Sequence, residues 1–407
     1  MKRHLIGIGG VGMSALATAL VRLGDEVTGA DRTLGTPNIS FLESLGVSVF
    51  PDDGSGVDES TDEVVVSTAI EETNAGLRRA KELGIPVTHR AAALARALSG
   101  HRLVAVAGTC GKSTVTAMLG HVLAECGLDP LCVNGANVPG WEGAVRFGRG
   151  EYAVAEVDES DKSLVAFSPY AAIVTNASAD HYSKEEMDEV FDAFVKDCPG
   201  PVIDGRTQDH GADEIAEADT SLPGRHNRQN AALALRMALA LGCDEERARA
   251  ALLSFRGVER RLQRVGGGTP AVFDDYAHNP EKLHAMWTTL AEKYPRGVCA
   301  VWRPHGYAPL RKMMGALADM FAATVREQDA LLLLPVYDAG GTTDRSVNSD
   351  ALVREITVRT KSRVELVGDL DAAYEWCAAH RGEFDCFVTC GARDPGLPVL
   401  ARRLGGQ

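Results

Sequence analysis

The 407-residue chain has no excess of positive charge, no Cys-x-x-Cys pair, no internal repeat and no low-complexity tract. Nor does any apolar run approach the length of a membrane span. Each absence removes a class of function. Lys and Arg number 42 against 56 Asp and Glu, a net charge of −14, which argues against general binding to nucleic acid or to an anionic membrane while leaving room for a local basic pocket. The nine cysteines are scattered singly, an odd number without metal-ligand spacing, as expected of reduced thiols in a cytoplasmic protein. Met1-Lys2-Arg3 and the apolar residues up to Leu20 have the outline of a secretory signal. Glycines at 7, 9, 10 and 12 and helical spacing after Met13 read that stretch instead as strand, turn and helix. A chain of this length exceeds a single core, and three α/β domains are expected, over residues 1–99, 100–264 and 265–407.

What is present is organised around Leu103 to Thr116. An apolar run, Leu103 to Ala107, meets Gly108-Thr109-Cys110-Gly111-Lys112-Ser113-Thr114, and helical spacing follows from Ala117 to Cys126. A strand feeding a helix through glycine is a phosphate-binding arrangement. Gly108 and Gly111 let backbone N–H groups approach phosphate oxygens, Lys112 reaches the outer phosphates, and the Ser113 hydroxyl suits magnesium. The match to the strict Walker spacing is partial, because Val106 stands where the first glycine belongs.

Before this loop, a strand over His4 to Ile8 enters Gly7-Ile8-Gly9-Gly10-Val11-Gly12, and a second strand, Glu26 to Ala30, ends at Asp31. That is the dinucleotide fingerprint as usually written, yet a diphosphate at a helix N-terminus is all it requires, and UDP satisfies it as well as NAD. Beyond the loop, a strand over Glu151 to Ala155 ends in Glu156-Val157-Asp158-Glu159-Ser160-Asp161, and Ala171 to Thr175 leads to Asp180-His181. Ligands of open parallel sheets meet the carboxyl ends of strands, so Glu156 and His181 are expected to face the crevice of Lys112 and to share a metal. Leu222-Pro223-Gly224 opens a helix carrying His226, Asn227 and Asn230 at its start; the amides suit a purine edge or, alternatively, helix capping. Arg260-Arg261 stands in a hinge and suits phosphate or simple exposure. The last third reads as a further α/β unit, with Asp275-Tyr276-Ala277-His278-Asn279, Arg303-Pro304-His305-Gly306 and Gly391-Ala392-Arg393-Asp394 following strands.

The order of these motifs resembles the Mur ligase family, in particular its members that act on UDP-N-acetylmuramate. The resemblance spans nearly the whole chain. It implies a three-domain α/β architecture: an N-terminal Rossmann-like UDP-sugar domain, a central P-loop ATPase domain and a C-terminal Rossmann-like ligase domain. It implies an ATP-dependent, ADP-forming ligase in cytoplasmic peptidoglycan precursor synthesis, using Mg²⁺ and joining L-alanine to the carboxylate of UDP-N-acetylmuramate through an acyl phosphate. The alternative is the same chemistry with another amine, such as a recycled murein tripeptide, or another carboxylate. By position, Lys112 contacts the transferred phosphate within the loop Gly108, Thr109, Gly111, Ser113 and Thr114; Ser113, Glu156 and His181 bind magnesium. His226, Asn227 and Asn230 lie near adenine, Arg260 or Arg261 near phosphate, Asp275 at the ribose and His278 near the reaction centre. Gly7, Gly9, Gly10 and Gly12 hold the UDP diphosphate, so NAD is not expected. A monomer or homodimer is expected, without nucleic-acid or membrane partners. An NAD-dependent oxidoreductase leaves Lys112, Glu156 and His181 without purpose, and a noncatalytic relative has no need of magnesium ligands.

The chain departs from the family pattern at several points. Cys110 replaces a histidine, Asn279 a second histidine after His278, Gly306 an arginine after Pro-His, and Arg393 a glycine. Only about 40 residues separate His181 from Leu222, a shortened central domain.

Overall fold

The apolar runs read from the sequence become inner strands of three mostly parallel sheets in the computed structural model, which describes residues 1–158, 163–177, 184–206, 211–338 and 344–406. Two compact units result, Met1–Val258 and Glu259–Gln407. In the first, β1 (Lys2–Ile6), α1 (Val11–Arg22), β2 (Glu26–Asp31), α2 (Pro37–Ser44) and β3 (Ser48–Pro51) are followed by β4 (Glu63–Val66), α3 (Ala75–Glu82), β5 (Val87–His89) and α4 (Arg90–Ala97). These strands pair in parallel in the order β3-β2-β1-β4-β5.

The same unit continues with β6 (Arg102–Ala107), α5 (Lys112–Glu125), β7 (Leu131–Val133), β8 (Val145–Arg146), β9 (Tyr152–Glu156), β10 (Ala171–Val174), α6 (Lys184–Val195) and β11 (Val202–Asp204), then α7 (Arg225–Ala240) and α8 (Glu245–Ser254). The second sheet runs β11-β10-β6-β9-β7-β8, with only β8 antiparallel. One apolar cluster spans both sheets, joining Leu16 and Leu20 of α1 and Leu94 of α4 to Leu103, Leu131 and Val145. Enclosure between two sheets explains why α1 is buried along most of its length; its polar Ser14 and Thr18 hydroxyls donate to Val11 O and Ser14 O at 3.0 and 2.9 Å, so burial strands neither.

The second unit holds β12 (Gln263–Arg264), β13 (Ala271–Asp275), α9 (Pro280–Lys293), β14 (Val298–Trp302), α10 (Tyr307–Thr324), β15 (Ala330–Leu333), α11 (Ser349–Thr357), β16 (Arg363–Leu366), α12 (Leu370–Ala379), β17 (Cys386–Cys390) and α13 (Gly396–Leu404). Its order is β12-β13-β17-β14-β15-β16. Because β12 pairs antiparallel with β13, residues 259–264, placed by the sequence reading in the central domain, belong to this unit. Buried Asp329 pins β14 to the helical layer, accepting from the Trp287 indole at 2.9 Å and from Val298 N–H at 2.8 Å.

His4, on β1, is fully buried; its Nδ1 meets Thr28 Oγ1 at 2.9 Å, and burial pushes its pKa down to about 4. The unfolded chain therefore takes up a proton below pH 6.5 that the folded one resists, and stability is lost as pH falls from that value. Replacing His4 with Gln is expected to shrink the loss of stability between pH 7 and 5 by about 2 kcal/mol, read by urea unfolding. Equal losses in both proteins would contradict this.

Candidate active site

The loop between β6 and α5 can be built only with glycine at two points. Gly108 and Gly111 have φ of +126° and +84°. A side chain at Gly108 would collide with Thr175 Oγ1, and one at Gly111 would place its Cβ 2.5 Å from Asn230 Oδ1. The loop is tied to the end of β10, the strand beside β6. Thr109 Oγ1 and Cys110 N–H donate to Asn176 Oδ1 at 2.6 and 2.9 Å, while Thr175 Oγ1 and Asn176 Nδ2 donate to Cys110 O at 2.6 and 3.0 Å. Lys112 Nζ donates to Gly108 O at 2.7 Å, and Ser113 and Thr114 are buried in the first turn of α5. Val106 is a buried strand residue in register with Glu156 and Ile173, so the Walker spacing fails because the strand runs on to Ala107 and the loop begins only after it.

A cavity of about 660 Å³ lies in the same unit and is lined by Gly7, Gly9 to Gly12, Asp31 and Arg90 on one side and by Asn134, Gly135, Glu156 and Asp158 on the other. Gly9 N–H donates to Asp31 Oδ2 at 2.9 Å, and Thr33 N–H to Asp31 Oδ1 at 3.0 Å, so this carboxylate closes its own turn. A Cβ on Gly12 would come within 3.1 Å of Arg90 Nη1, which places that guanidinium against the glycine turn. Arg90 was not singled out in the sequence; its only signal is a basic residue opening a helix directly after a strand. Glu156 ends β9, which flanks β6 opposite β10, and its Oε2 accepts Gly135 N–H at 2.8 Å. Asp180 and His181 lie outside the described residues, as do residues 159–162.

At the start of α7, Asn227 Nδ2 donates to Pro223 O at 2.8 Å and no side chain caps the helix at Gly224, so the capping alternative is not realised; Asn230 lies against Gly111, where it braces the loop. Burial pushes His226 down to about 4, so it is neutral at pH 7.

In the C-terminal unit the ends of β13, β17 and β14 stand side by side. The oxygens of Asp275 accept the Leu262 and Ala277 N–H groups at 2.5 and 2.7 Å, which fixes the turn carrying Tyr276 and His278. Arg260 reaches Asp274 at 3.1 Å and Gly391 O at 2.5 Å, and both Arg260 and Arg261 lie over the Tyr276 ring, 5.1 and 5.2 Å from its centre. Here the paired arginines brace the sheet end and are not simply exposed. The His278 and His305 rings meet edge to face at 4.9 Å. His278 Nδ1 lies 2.9 Å from Tyr276 O; burial first, then Lys282, pushes its pKa down to about 4. Donation from Nδ1 leaves Nε2 with a lone pair. Burial likewise lowers the pKa of His305, with Arg393 and Lys282 adding to the effect.

Two family models match the chain: the Mur ligase family, catalytic domain, over residues 2–102, and the Mur ligase, glutamate ligase domain, over residues 260–393. A UDP-N-acetylmuramate–L-alanine ligase of Gloeobacter violaceus is 33% identical over 447 positions, covering 98% of this chain and 95% of the relative. The chain belongs to the Mur ligase family. A Rubrobacter xylanophilus ligase of the same name is 35% identical, covering 99% of this chain and all of the relative. The crystal structure of the Thermotoga maritima UDP-N-acetylmuramate-alanine ligase superposes with a TM-score of 0.82 at 24% identity, over 99% of this chain and 98% of that one. Both alignments are longer than the chain itself, so these relatives carry residues that it lacks.

As a Mur ligase the chain is an ATP-dependent ligase with the α/β architecture of that family. Its glycine loop, with Lys112 and a helix start, fits a nucleotide phosphate. Among the described residues no cluster of three His, Cys, Asp or Glu forms a metal cage. No helix among the described residues is long and apolar enough to cross a membrane.

Gly111→Ala is expected to lower stability by about 1–3 kcal/mol, because alanine must adopt a left-handed backbone against Asn230. An unchanged urea midpoint would show that the loop is not held in this conformation.

Proposed function

We propose that this Mur ligase joins L-alanine to the carboxylate of UDP-N-acetylmuramate at the expense of ATP. The observation that carries the reading is the cavity lined by both the Gly7–Gly12 turn and Glu156, on the strand next to the phosphate loop. A UDP-sugar whose diphosphate rests on the glycine turn and Arg90 would extend its carboxylate toward Glu156. Full-length relatives carrying this activity in their names support the choice of substrates.

The chemistry assigned to the residues is mostly charge neutralisation and positioning. Lys112 and the loop N–H groups would hold the outer phosphates of ATP, while Ser113, Glu156 and His181 would hold Mg²⁺, which would supply charge neutralisation there. The carboxylate oxygen bonds to the γ-phosphorus as ADP leaves; the amine then attacks the acyl carbon and phosphate departs with that oxygen. His278 and His305, neutral at pH 7, accept hydrogen bonds from the acceptor amine without repelling it. Asn230 braces the loop, with His226 assigned to the adenine, Asp275 to the ribose and Arg260 or Arg261 to phosphate. With these substrates assigned, a cytoplasmic location is inferred.

A murein peptide as the amine is the second reading, favoured by Gly306, where a side chain would meet nothing nearer than Pro309 Cδ at 3.5 Å. The murein tripeptide ligase of Neisseria meningitidis is 27% identical over 64% of this chain, with a TM-score of 0.58.

Phosphate release from ATP and Mg²⁺ with UDP-N-acetylmuramate is expected to depend on L-alanine, with the amide product seen by mass. Lys112→Ala is expected to reduce turnover at least 100-fold while UDP-sugar binding persists, the loss of a transition-state charge contact costing about 3 kcal/mol or more. Retained turnover in that variant, or release with the tripeptide and not with alanine, would overturn the assignment.

A further inference from the structure

Four arginines around the strand ends of the C-terminal unit are paired with carboxylates. Arg260 lies on Asp274 at 3.1 Å, Arg303 on Asp394 at 2.6 Å, Arg311 on Asp344 at 2.7 Å and Arg345 on Asp338 at 2.7 Å. Arg393 differs. It is exposed, and among the described residues no carboxylate pairs with it. It follows β17, the strand between β13 and β14, whose ends carry His278 and His305. Arg303 N–H donates to Cys390 O at 3.1 Å, so the turn carrying Arg393 leaves the sheet beside the turn carrying His305, whose ring touches that of His278. Gly306 beside them leaves space open.

Resting on the function proposed above, we propose that Arg393 grips the carboxylate of the incoming amino acid and thereby selects acceptors that carry a carboxylate next to the amine. A planar guanidinium offers two parallel N–H donors to a carboxylate, and no acid among the described residues pairs with them. Neighbouring imidazoles held neutral leave the amine as the only other charged group to be placed.

The test uses the full chain and its Arg393→Ala and Arg393→Lys variants, with L-alanine and L-alaninamide as acceptors at saturating ATP, Mg²⁺ and UDP-N-acetylmuramate. Arg393→Ala is expected to raise the KM for L-alanine roughly 10- to 100-fold, the range for a lost charged hydrogen-bond pair, with kcat nearly unchanged. Arg393→Lys falls between, and the KM for alaninamide, already high, does not move. An unchanged alanine KM, an equal loss with both acceptors, or a shift in the KM for ATP instead, which would mark Arg393 as a phosphate ligand, overturns the proposal. If the wild type uses a different amino acid, the alanine reading falls, and the same variants with that amino acid and its amide decide the role of Arg393. A wild type that takes only amines lacking a carboxylate, or none, overturns both.

Discussion

The N-terminal unit depends on one constraint: β6 lies between β10 and β9, parallel to both. Parallel pairing brings three carboxyl ends to one edge, so the glycine loop, the Thr175-Asn176 pair and Glu156 are neighbours although far apart in sequence. The loop could not hold its left-handed glycines without that neighbourhood. Four hydrogen bonds from the β10 end fix Thr109 and Cys110, and Asn230 of α7 closes over Gly111. Backbone N–H groups are thereby aimed before any phosphate arrives, so little reorganisation is left for binding.

A second consequence follows from the shared core of the first two sheets. Leu16, Leu20 and Leu94 pack with Leu103, Leu131 and Val145, so the glycine turn at the N-terminus of α1 and the first residue of α4 are held at a fixed offset from Glu156. The cavity between them is bounded by the glycine turn, Asp31 and Arg90 at one end and by Asn134, Gly135, Glu156 and Asp158 at the other.

Much of this was legible in the sequence because it rests on local pattern. Val298–Trp302 and the strand after Glu151 are apolar runs bounded by turn residues, and the glycines at 7, 9, 10 and 12 announce a backbone turn. What was hidden is tertiary. Arg90 and Asn176 are ordinary residues after ordinary strands, and only sheet order brings them to a loop or a cavity. The α4 helix, rich in alanine and short, carries too weak a pattern to be separated from the domain boundary that follows it. Arg260 and Arg261 read as a hinge because nothing local says that Asp274 and the Tyr276 ring receive them. Asn227 fits a base edge or a helix cap equally well in the sequence, and only the fold shows its amide donating to Pro223 O instead of capping a helix N–H.

The central claim is that the carboxylate of a UDP-sugar is carried to the phosphate loop and is itself phosphorylated. The most direct test is oxygen transfer: UDP-N-acetylmuramate labelled with ¹⁸O in its carboxylate is turned over with ATP, Mg²⁺ and L-alanine, and the released phosphate is analysed by mass. The account predicts that each phosphate carries one labelled oxygen. Phosphate free of label would mean that water, and not the carboxylate, attacks ATP, and would contradict it.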